Sequence, residues 1–209
     1  MIKFMYIYPS INFHHSNMSL VLKNVLQRNV PFTNNELEYV YSHFKELKIT
    51  KKQHLFLAGE ICKLASYCEK GCFRKYAINE KGDDVVVDFA IEDYWVGDLA
   101  SLINCTPTPY NFQALEDCTM QVMAFADWDR LGNEIPKFKE ARRRMELKNH
   151  DTTMALLTFE KYASVEEKYI HLLKRFPGLP NRIPSIHIAS YLGIKPESFS
   201  RLKRKFAGR

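Results

Sequence analysis

The stretch that decides the fold reads SIHIASYLGIKPESFSRLKR and covers residues 185–204. An apolar run, a glycine and a basic amphipathic run follow one another here, which predicts two short helices joined by a tight turn. Ala189 is small enough to let a second helix approach, and Gly193, four residues later, tolerates the positive φ that the turn requires. This spacing is typical of a helix-turn-helix.

Prolines and apolar residues support the same two helices. Pro184 and Pro196 each suit the first turn of a helix, where a backbone N–H is not needed. Apolar residues stand before and after the turn, where the two helices would share a core: Ile188, Leu192, Ile194, Phe199 and Leu202.

The second helix has a chemically graded outer face once its apolar residues turn inward. Its first half carries Glu, Ser and Arg, which can read base edges, and its last half carries cations that suit phosphates. A solvated surface helix is the alternative interpretation. We predict DNA contacts from Glu197, Ser198, Ser200, Arg201, Lys203, Arg204 and Lys205.

The net charge of +6 comes from one end of the chain. Residues 174–209 hold nine Lys and Arg side chains and one acid, a balance of +8, whereas the other 173 residues hold 21 bases and 23 acids, a balance of −2. Such a concentrated positive field favours a polyanionic partner. A basic solubilising tail would lack the apolar order of this segment.

The middle of the chain has a different residue pattern. From about residue 49 to 126, short β-rich runs alternate with turns marked by glycines at 59, 71, 82 and 97. Many short strands at such spacing predict a sandwich, barrel or jelly roll. Residues 19–48 and the chain from 127 onward read as helical instead, with capping-box spacing at Thr33–Glu36 and Ser164–Glu167.

A long helical run follows Pro136. The pattern fits a helix packed on its own domain and a helix that pairs two subunits equally well. Alternate steps of three and four residues give an imperfect heptad seam, polar in its middle: Phe138, Ala141, Met145, Lys148, Thr152, Ala155 and Phe159.

The motif Pro196-Glu197-Ser198-Phe199-Ser200-Arg201 resembles the recognition helix of the Crp/Fnr family of bacterial transcription regulators. The resemblance implies that Glu197, Ser200 and Arg201 match the family's Glu-x-x-Ser-Arg core, which contacts the DNA half-site. Residues 55–89 resemble the family's β-roll sensor, and Tyr94-Trp95-Val96-Gly97-Asp98-Leu99 resembles the Gly-Glu-Leu turn of its ligand pocket. In all, the resemblance covers about residues 20–206.

The family's organisation implies an α+β chain: an antiparallel β jelly roll of the cyclic-nucleotide-binding type, a long dimerisation helix and a C-terminal helix-turn-helix domain. We assign residues 1–18 to a loose N-terminal extension, 19–126 to the roll with its flanking helices, 127–160 to the dimer helix and 161–209 to the helix-turn-helix domain. The sequence stops soon after the recognition helix, so we expect the β-hairpin wing of winged-helix members to be truncated or absent.

The pocket region departs from family members that bind cyclic AMP. Those carry an arginine shortly after the Gly-Glu-Leu turn, whereas no Lys or Arg occurs here from residue 82 to 129, a span with ten acids. A buried phosphate without a cation is poorly compensated, so we do not expect a cyclic nucleotide. Another small effector, or none, is expected at the candidate pocket residues Gly97, Asp98, Leu99, Thr106, Thr108, Tyr110 and Asn111.

We expect no cofactor, no metal and no enzymatic activity. The five cysteines form no CxxC pair, and His54 is the only histidine between residues 49 and 126. No run of eighteen apolar residues occurs, so we expect a cytoplasmic protein without a membrane partner. The expected partners are double-stranded DNA, a second copy through about residues 137–160, and RNA polymerase. A ligand-sensing or protein-interaction module that no longer binds DNA is the alternative.

Overall fold

The computed structural model describes residues 13–14 and 20–207. Two helices precede the main β region, α1 (Leu20–Asn29) and α2 (Asn34–Tyr41). The strands are β1 (Phe13–His14), β2 (Lys45–Ile49), β3 (His54–Phe56), β4 (Leu64–Lys70), β5 (Phe73–Ile78), β6 (Asp84–Ala90), β7 (Asn111–Ala114) and β8 (Cys118–Ala124), with helix α3 (Leu99–Asn104) between β6 and β7.

The chain from Phe125 to Ala207 is helical. Its helices are α4 (Phe125–Glu134), α5 (Pro136–Tyr162), α6 (Val165–Arg175), α7 (Leu179–Arg182), α8 (Ser185–Tyr191) and α9 (Pro196–Ala207).

The strands form two four-stranded antiparallel sheets, ordered β1-β2-β8-β4 and β3-β7-β5-β6. Cys118, Met120, Val122 and Ala124 alternate along β8 into the apolar core that the roll encloses. This alternation has the period of two expected for a strand with one face on a core. The predicted α+β architecture with an antiparallel jelly roll is confirmed.

Both predicted capping boxes are present. The Thr33 and Ser164 hydroxyls accept from the backbone N–H of Glu36 and Glu167, and each glutamate carboxylate accepts from its cap residue's N–H. These reciprocal bonds satisfy donors that the first turns of α2 and α6 would otherwise leave open.

One local prediction was wrong. Residues 45–48 form strand β2, not the end of a helix, because Leu47 and Ile49 alternate into the roll core and pair with β8. Residues 111–114 form strand β7, and Phe112 and Ala114 pack against the same core. Most of the predicted N-terminal extension, residues 1–18, lies outside the described residues; Phe13–His14 pair with β2.

Helix α5 turns the predicted seam toward its own chain at both ends. Phe138 and Ala141 are fully buried with α1 and Trp128, and Met145 packs on the same cluster. Near the other end, the Phe159 ring lies 4.9 Å from the His171 ring of α6. The apolar residues of the seam are therefore largely intramolecular.

A different apolar stripe of α5 faces solvent. Leu147, Met154 and Leu157 are 49%, 50% and 54% exposed. At roughly 100° per residue they lie on the side of the helix opposite the predicted seam. The spacing of seven and three residues is that of one heptad face.

Helices α6 to α9 pack on the outer face of the sheet β3-β7-β5-β6. One hydrophobic cluster contains Val86 and Phe89 of β6 together with Phe176 and Ile188 of the helices. Arg182 of α7 donates two hydrogen bonds, of 2.8 and 2.7 Å, to the Glu92 carboxylate. The helical unit and the roll thus share a core and a bidentate ion pair.

Gly71, in the turn between β4 and β5, allows a test of the roll. Its φ is +112°, and a Cβ there would lie 2.4 Å from Cys118 Sγ and 2.9 Å from Cys118 Cα. We expect Gly71→Ala to lower the free energy of unfolding by about 2–4 kcal/mol, since backbone strain and overpacking each cost roughly 1–3 kcal/mol. Urea unfolding monitored by tryptophan fluorescence measures the change.

Gly82→Ala is the matched control. Gly82 also has positive φ, +84°, but a Cβ there meets nothing within 4 Å. The control should carry the strain alone and lose less stability. Equal losses in the two variants would contradict the proposed contact with Cys118.

The Glu92–Arg182 pair predicts a pH dependence of stability. Desolvation by burial, the largest effect, raises the pKa of Glu92, but hydrogen bonds from Arg182 and from the Gly71 N–H together lower it from 4.5 to about 2. A depressed pKa in the folded state means that Glu92 stabilises the fold fully above pH 4.5 and less as the pH falls toward 2. Glu92→Gln should therefore be less stable than the native protein at pH 7.

The difference in unfolding free energy should be modest, about 1 kcal/mol, because the pair is partly exposed. It should shrink as the pH is lowered from 4.5 to 2 in urea titrations, because the native side chain then becomes neutral as well. Glu80→Gln, on the exposed β5–β6 hairpin, is the control and should match the native protein throughout. A difference that stays constant with pH would exclude the ion pair as its cause.

Candidate nucleic-acid interface

The turn between α8 and α9 is a Schellman motif. The Ile194 N–H donates to the Ala189 carbonyl at 3.0 Å, and the Gly193 N–H donates to the Ser190 carbonyl at 3.1 Å. Gly193 has φ +67°, the left-handed conformation that glycine adopts without steric cost. This turn ends α8 abruptly and directs the chain into α9.

The inner face of α9 is anchored in the helical unit. Phe199 is fully buried, and its ring meets the Tyr169 ring of α6 edge-on at 5.4 Å. Phe206 contacts the same Tyr169 ring at 5.4 Å, and Leu202 packs on the same cluster. These contacts fix the rotation of α9 about its own axis, so its other face must point to solvent.

Six of the predicted contact residues are exposed on that outer face: Glu197, Ser198, Ser200, Arg201, Arg204 and Lys205. Within the described part of the chain, the side chains of Glu197, Ser198 and Arg201 make no hydrogen bond or ion pair. The Ser200 hydroxyl donates to the Pro196 carbonyl at 3.0 Å, and Arg204 Nε lies 3.4 Å from the Ser200 carbonyl. The first half of α9 therefore presents free polar groups.

Two predicted contact residues are engaged within the protein. Lys203 Nζ donates to the Pro180 carbonyl at 3.1 Å, and Lys205 Nζ lies 2.6 Å from Glu166 Oε1. Both partners of the second pair are about half exposed, and such pairs contribute about 0–1 kcal/mol. Lys205 can exchange Glu166 for another anion at little cost.

An open cleft of about 340 Å³ lies beside α9. Ser185 at the start of α8, together with Ser200, Lys203 and Arg204, lines it. Sequence reasoning missed Ser185, although its position at the start of the first helix could have signalled it. It also missed Lys195, which is exposed directly before α9.

Hydrogen bonds join several residues of the predicted pocket of the roll to one another. Asp98 caps α3 by accepting from the Ala100 and Ser101 N–H groups at 3.1 and 3.4 Å. Its other carboxylate oxygen accepts from the buried Thr108 hydroxyl at 2.8 Å. A carboxylate therefore occupies the position at the helix start where a ligand anion would need free donors.

A cation inside the roll was not anticipated. Lys75 of β5 lies on the same side of its strand as Phe73, and its Nζ is 3.8 Å from the Tyr110 ring centroid. Desolvation by burial lowers the pKa of Lys75, and the charges of Asp98 and Asp88 oppose that shift. The alternation Phe73-Lys75-Ala77 along a predicted strand was the available signal.

The other predicted pocket residues are not all brought together. Gly97 has φ +148° directly before the Asp98 cap, and Leu99 packs at the edge of the roll core. The Thr106 carbonyl accepts from the Ser101 hydroxyl at 2.6 Å. Asn111 is buried, and its side-chain oxygen accepts from the Ala58 N–H at 3.0 Å, whereas its side-chain nitrogen has no partner among the described residues.

Among residues 13–14 and 20–207, no group of three or more His, Cys, Asp or Glu side chains could hold a metal ion. No helix within the same residues is long and apolar enough to cross a membrane.

Residues 46–134 match the family model of the cyclic nucleotide-binding domain. No curated protein matches the chain significantly.

Solved structures match over most of the chain. The catabolite activator protein of Thermus thermophilus aligns at 19% identity over 88% of this chain and 87% of that chain, with a TM-score of 0.53. The c-di-GMP-responsive global regulator CLP of Xanthomonas campestris aligns at 14% identity over 84% and 92%, with a TM-score of 0.64. FixK2 of Bradyrhizobium japonicum aligns at 13% identity over 78% and 84%, with a TM-score of 0.66.

At these identities the structural matches establish the fold. The predicted resemblance to regulators of the Crp/Fnr type is confirmed at the level of the fold. Residues 46–134 are similar to the cyclic nucleotide-binding domain, and the chain shares the fold of the catabolite activator protein, CLP and FixK2.

Proposed function

We propose that this protein is a DNA-binding transcription regulator that reads a palindromic site as a homodimer and does not require cyclic AMP. The observation that carries the proposal is the outer face of α9. The inner face of α9 is anchored by Phe199. The side chains of Glu197, Ser198 and Arg201 are exposed and make no hydrogen bond or ion pair within the described residues. Helices that read the major groove present their N-terminal residues to base edges in this way.

Each exposed group has a defined role in the proposal. The Arg201 guanidinium donates two hydrogen bonds to O6 and N7 of a guanine, and the Glu197 carboxylate accepts from the amino group of a cytosine. Ser200 contacts a base or a phosphate. The cleft lined by Ser185, Ser200, Lys203 and Arg204 supplies hydroxyl and cationic donors for a backbone phosphate.

The exposed stripe of α5 supports the homodimer. Leu147, Met154 and Leu157 are about half exposed and follow the spacing of a heptad face. A second copy of the same helix would remove these side chains from water. The pairing face in this proposal lies opposite the seam that starts at Phe138.

The roll supports independence from cyclic AMP. Thr108 and Asp98 bond to each other where the phosphate of a cyclic nucleotide would require cationic or N–H donors. Lys75, a cation inside the roll, lies with its Nζ 3.8 Å from the Tyr110 ring centroid. A nucleotide would have to break the Asp98–Thr108 bond and place its phosphate beside the Asp98 carboxylate.

A protein-interaction module that does not bind DNA remains the second candidate function. The engagement of Lys203 and Lys205 within the protein favours it, because two of the predicted phosphate contacts are already occupied. Absence of binding to any duplex at low salt would select this candidate.

The first test of the proposed function is duplex selection from a random library, followed by fluorescence-anisotropy titration. Arg201→Ala should weaken binding to the selected site by about 1–3 kcal/mol and relax the preference for one base. Arg204→Ala should instead weaken all duplexes alike and reduce the salt slope by about 1.

Arg130→Ala is the charge-matched control for both variants. Arg130 is exposed on α4, pairs with Asp127 and Glu134 and lies outside both α9 and the exposed stripe of α5. It should leave affinity and base preference unchanged. If Arg201→Ala left both the affinity for the selected site and the base preference unchanged, Arg201 would not read a base.

A second test concerns the pairing face of α5. Leu157→Lys should convert the dimer to monomer in sedimentation velocity, because each copy would bring an ammonium into the apolar contact. Ala155→Lys, on the opposite side of the helix and also exposed, should remain dimeric. The reverse pattern would assign dimerisation to the seam that contains Ala155.

A further inference from the structure

The helical unit formed by α6 to α9 is joined to the long helix by a short connection. Only Ala163 and Ser164 separate the end of α5 from the start of α6. Two residues alone do not fix the direction of a helical domain. The orientation of α9 must therefore be set by what the unit packs against.

The apolar contact between the unit and the roll is extensive. Phe89 of β6 lies 6.0 Å from the Phe176 ring and 5.5 Å from the Tyr191 ring, and the Tyr94 ring lies 5.5 Å from Phe176. All belong to or pack on the cluster that also contains Ile188 of α8. Domains move relative to one another by default unless their interface is large and apolar, as this one is.

Charged pairs add direction to the apolar contact. Arg175 Nη2 lies 2.8 Å from Asp88 Oδ2, and both side chains are largely buried. Arg182 holds Glu92 with two hydrogen bonds and also contacts Glu116. A bidentate guanidinium–carboxylate pair is specific in geometry, so it selects one orientation of the two parts.

Ser190 of α8 makes the most specific contact. Its hydroxyl accepts from the Val86 N–H at 3.0 Å and donates to the Asp84 carbonyl at 3.1 Å. Strand β6 is an edge strand of its sheet, and an edge strand has backbone groups without a neighbouring strand. One serine hydroxyl thus takes the place of a neighbouring strand and fixes α8 along the sheet edge.

The docked position leaves the outer face of α9 exposed. Glu197, Ser198 and Arg201 stay accessible while Ser190, Arg175 and Arg182 contact the roll. The contact therefore does not cover the predicted reading face. It fixes where that face points.

We propose that Ser190, Arg175 and Arg182 are positioning residues that seat the helical unit on the outer sheet of its own roll and so set the distance between the two recognition helices of the dimer. They touch no DNA. The inference rests on the proposed function, because two helices must enter successive major grooves about 34–36 Å apart for the distance to matter.

The test uses Ser190→Ala and Arg182→Gln in the full-length protein. Arg130→Gln is the control, since exposed Arg130 pairs with Asp127 and Glu134 on α4 and not with the roll. Affinity is measured by fluorescence anisotropy for a single half-site and for palindromes whose half-site separation varies in steps of one base pair. Unfolding midpoints establish that each variant is folded.

The native protein should prefer one separation sharply and bind that palindrome about 100-fold or more tightly than one half-site, because two linked contacts multiply. In both positioning variants, the ratio of palindrome affinity to half-site affinity should fall about tenfold, and binding should depend less sharply on the half-site separation. Their affinity for a single half-site should stay within about twofold of the native value. A merely structural role would weaken both duplexes together. The proposal would be overturned if both variants kept the native dependence of affinity on half-site separation. It would also be overturned if they lost affinity equally for the half-site and the palindrome.

Hydrogen exchange supplies a readout that does not depend on DNA. The Val86 amide should exchange faster in Ser190→Ala than in the native protein and should be unchanged in Arg130→Gln. If the Val86 amide exchanged as fast in the native protein as in Ser190→Ala, the proposed contact between Ser190 and β6 would be overturned. Absence of any native DNA binding would instead overturn the proposed function, and this positioning role with it, whatever the exchange result.

Discussion

The contact on which the rest of the structure depends lies between β6 and the helices that follow α5. Phe89 packs against Phe176 and Tyr191, and the outer face of its sheet is buried instead of facing water. Antiparallel sheets commonly bury one face and solvate the other. Here the inner face encloses the roll core and the outer face holds the helical unit. Every predicted DNA contact takes its position from this second buried face.

The roll behaves as a scaffold in this arrangement. Its interior is filled by its own side chains, with Lys75 stacked on Tyr110 and Asp98 bonded to Thr108. Each of these polar groups has a partner within the chain, as buried polar groups generally do.

Helix α5 shows why periodicity alone does not assign a partner. Its sequence contains two apolar stripes, one through Phe138 and Ala141 and one through Leu147, Met154 and Leu157. The first is buried in the chain's own core, and the second is exposed. Both have heptad-like spacing, and the hydrophobic effect has no direction along the sequence. Which stripe packs internally depends on the position of α1 and Trp128, which are distant in the chain.

The sequence by itself determined the local structure of this protein. The Ala189–Gly193 turn, the buried Phe199 and the two capping boxes follow from residue chemistry within a few positions, and β8 follows from a period of two. Only the tertiary structure decided that β2 is a strand, that Lys75 stacks on Tyr110, and that Ser190 caps the edge of β6. Those outcomes depend on contacts between residues far apart in sequence. A short stretch of sequence contains only one partner of each contact, so it cannot show how strongly the contact stabilises the fold. Local rules therefore predicted helix α9, and long-range packing decided the direction in which it points.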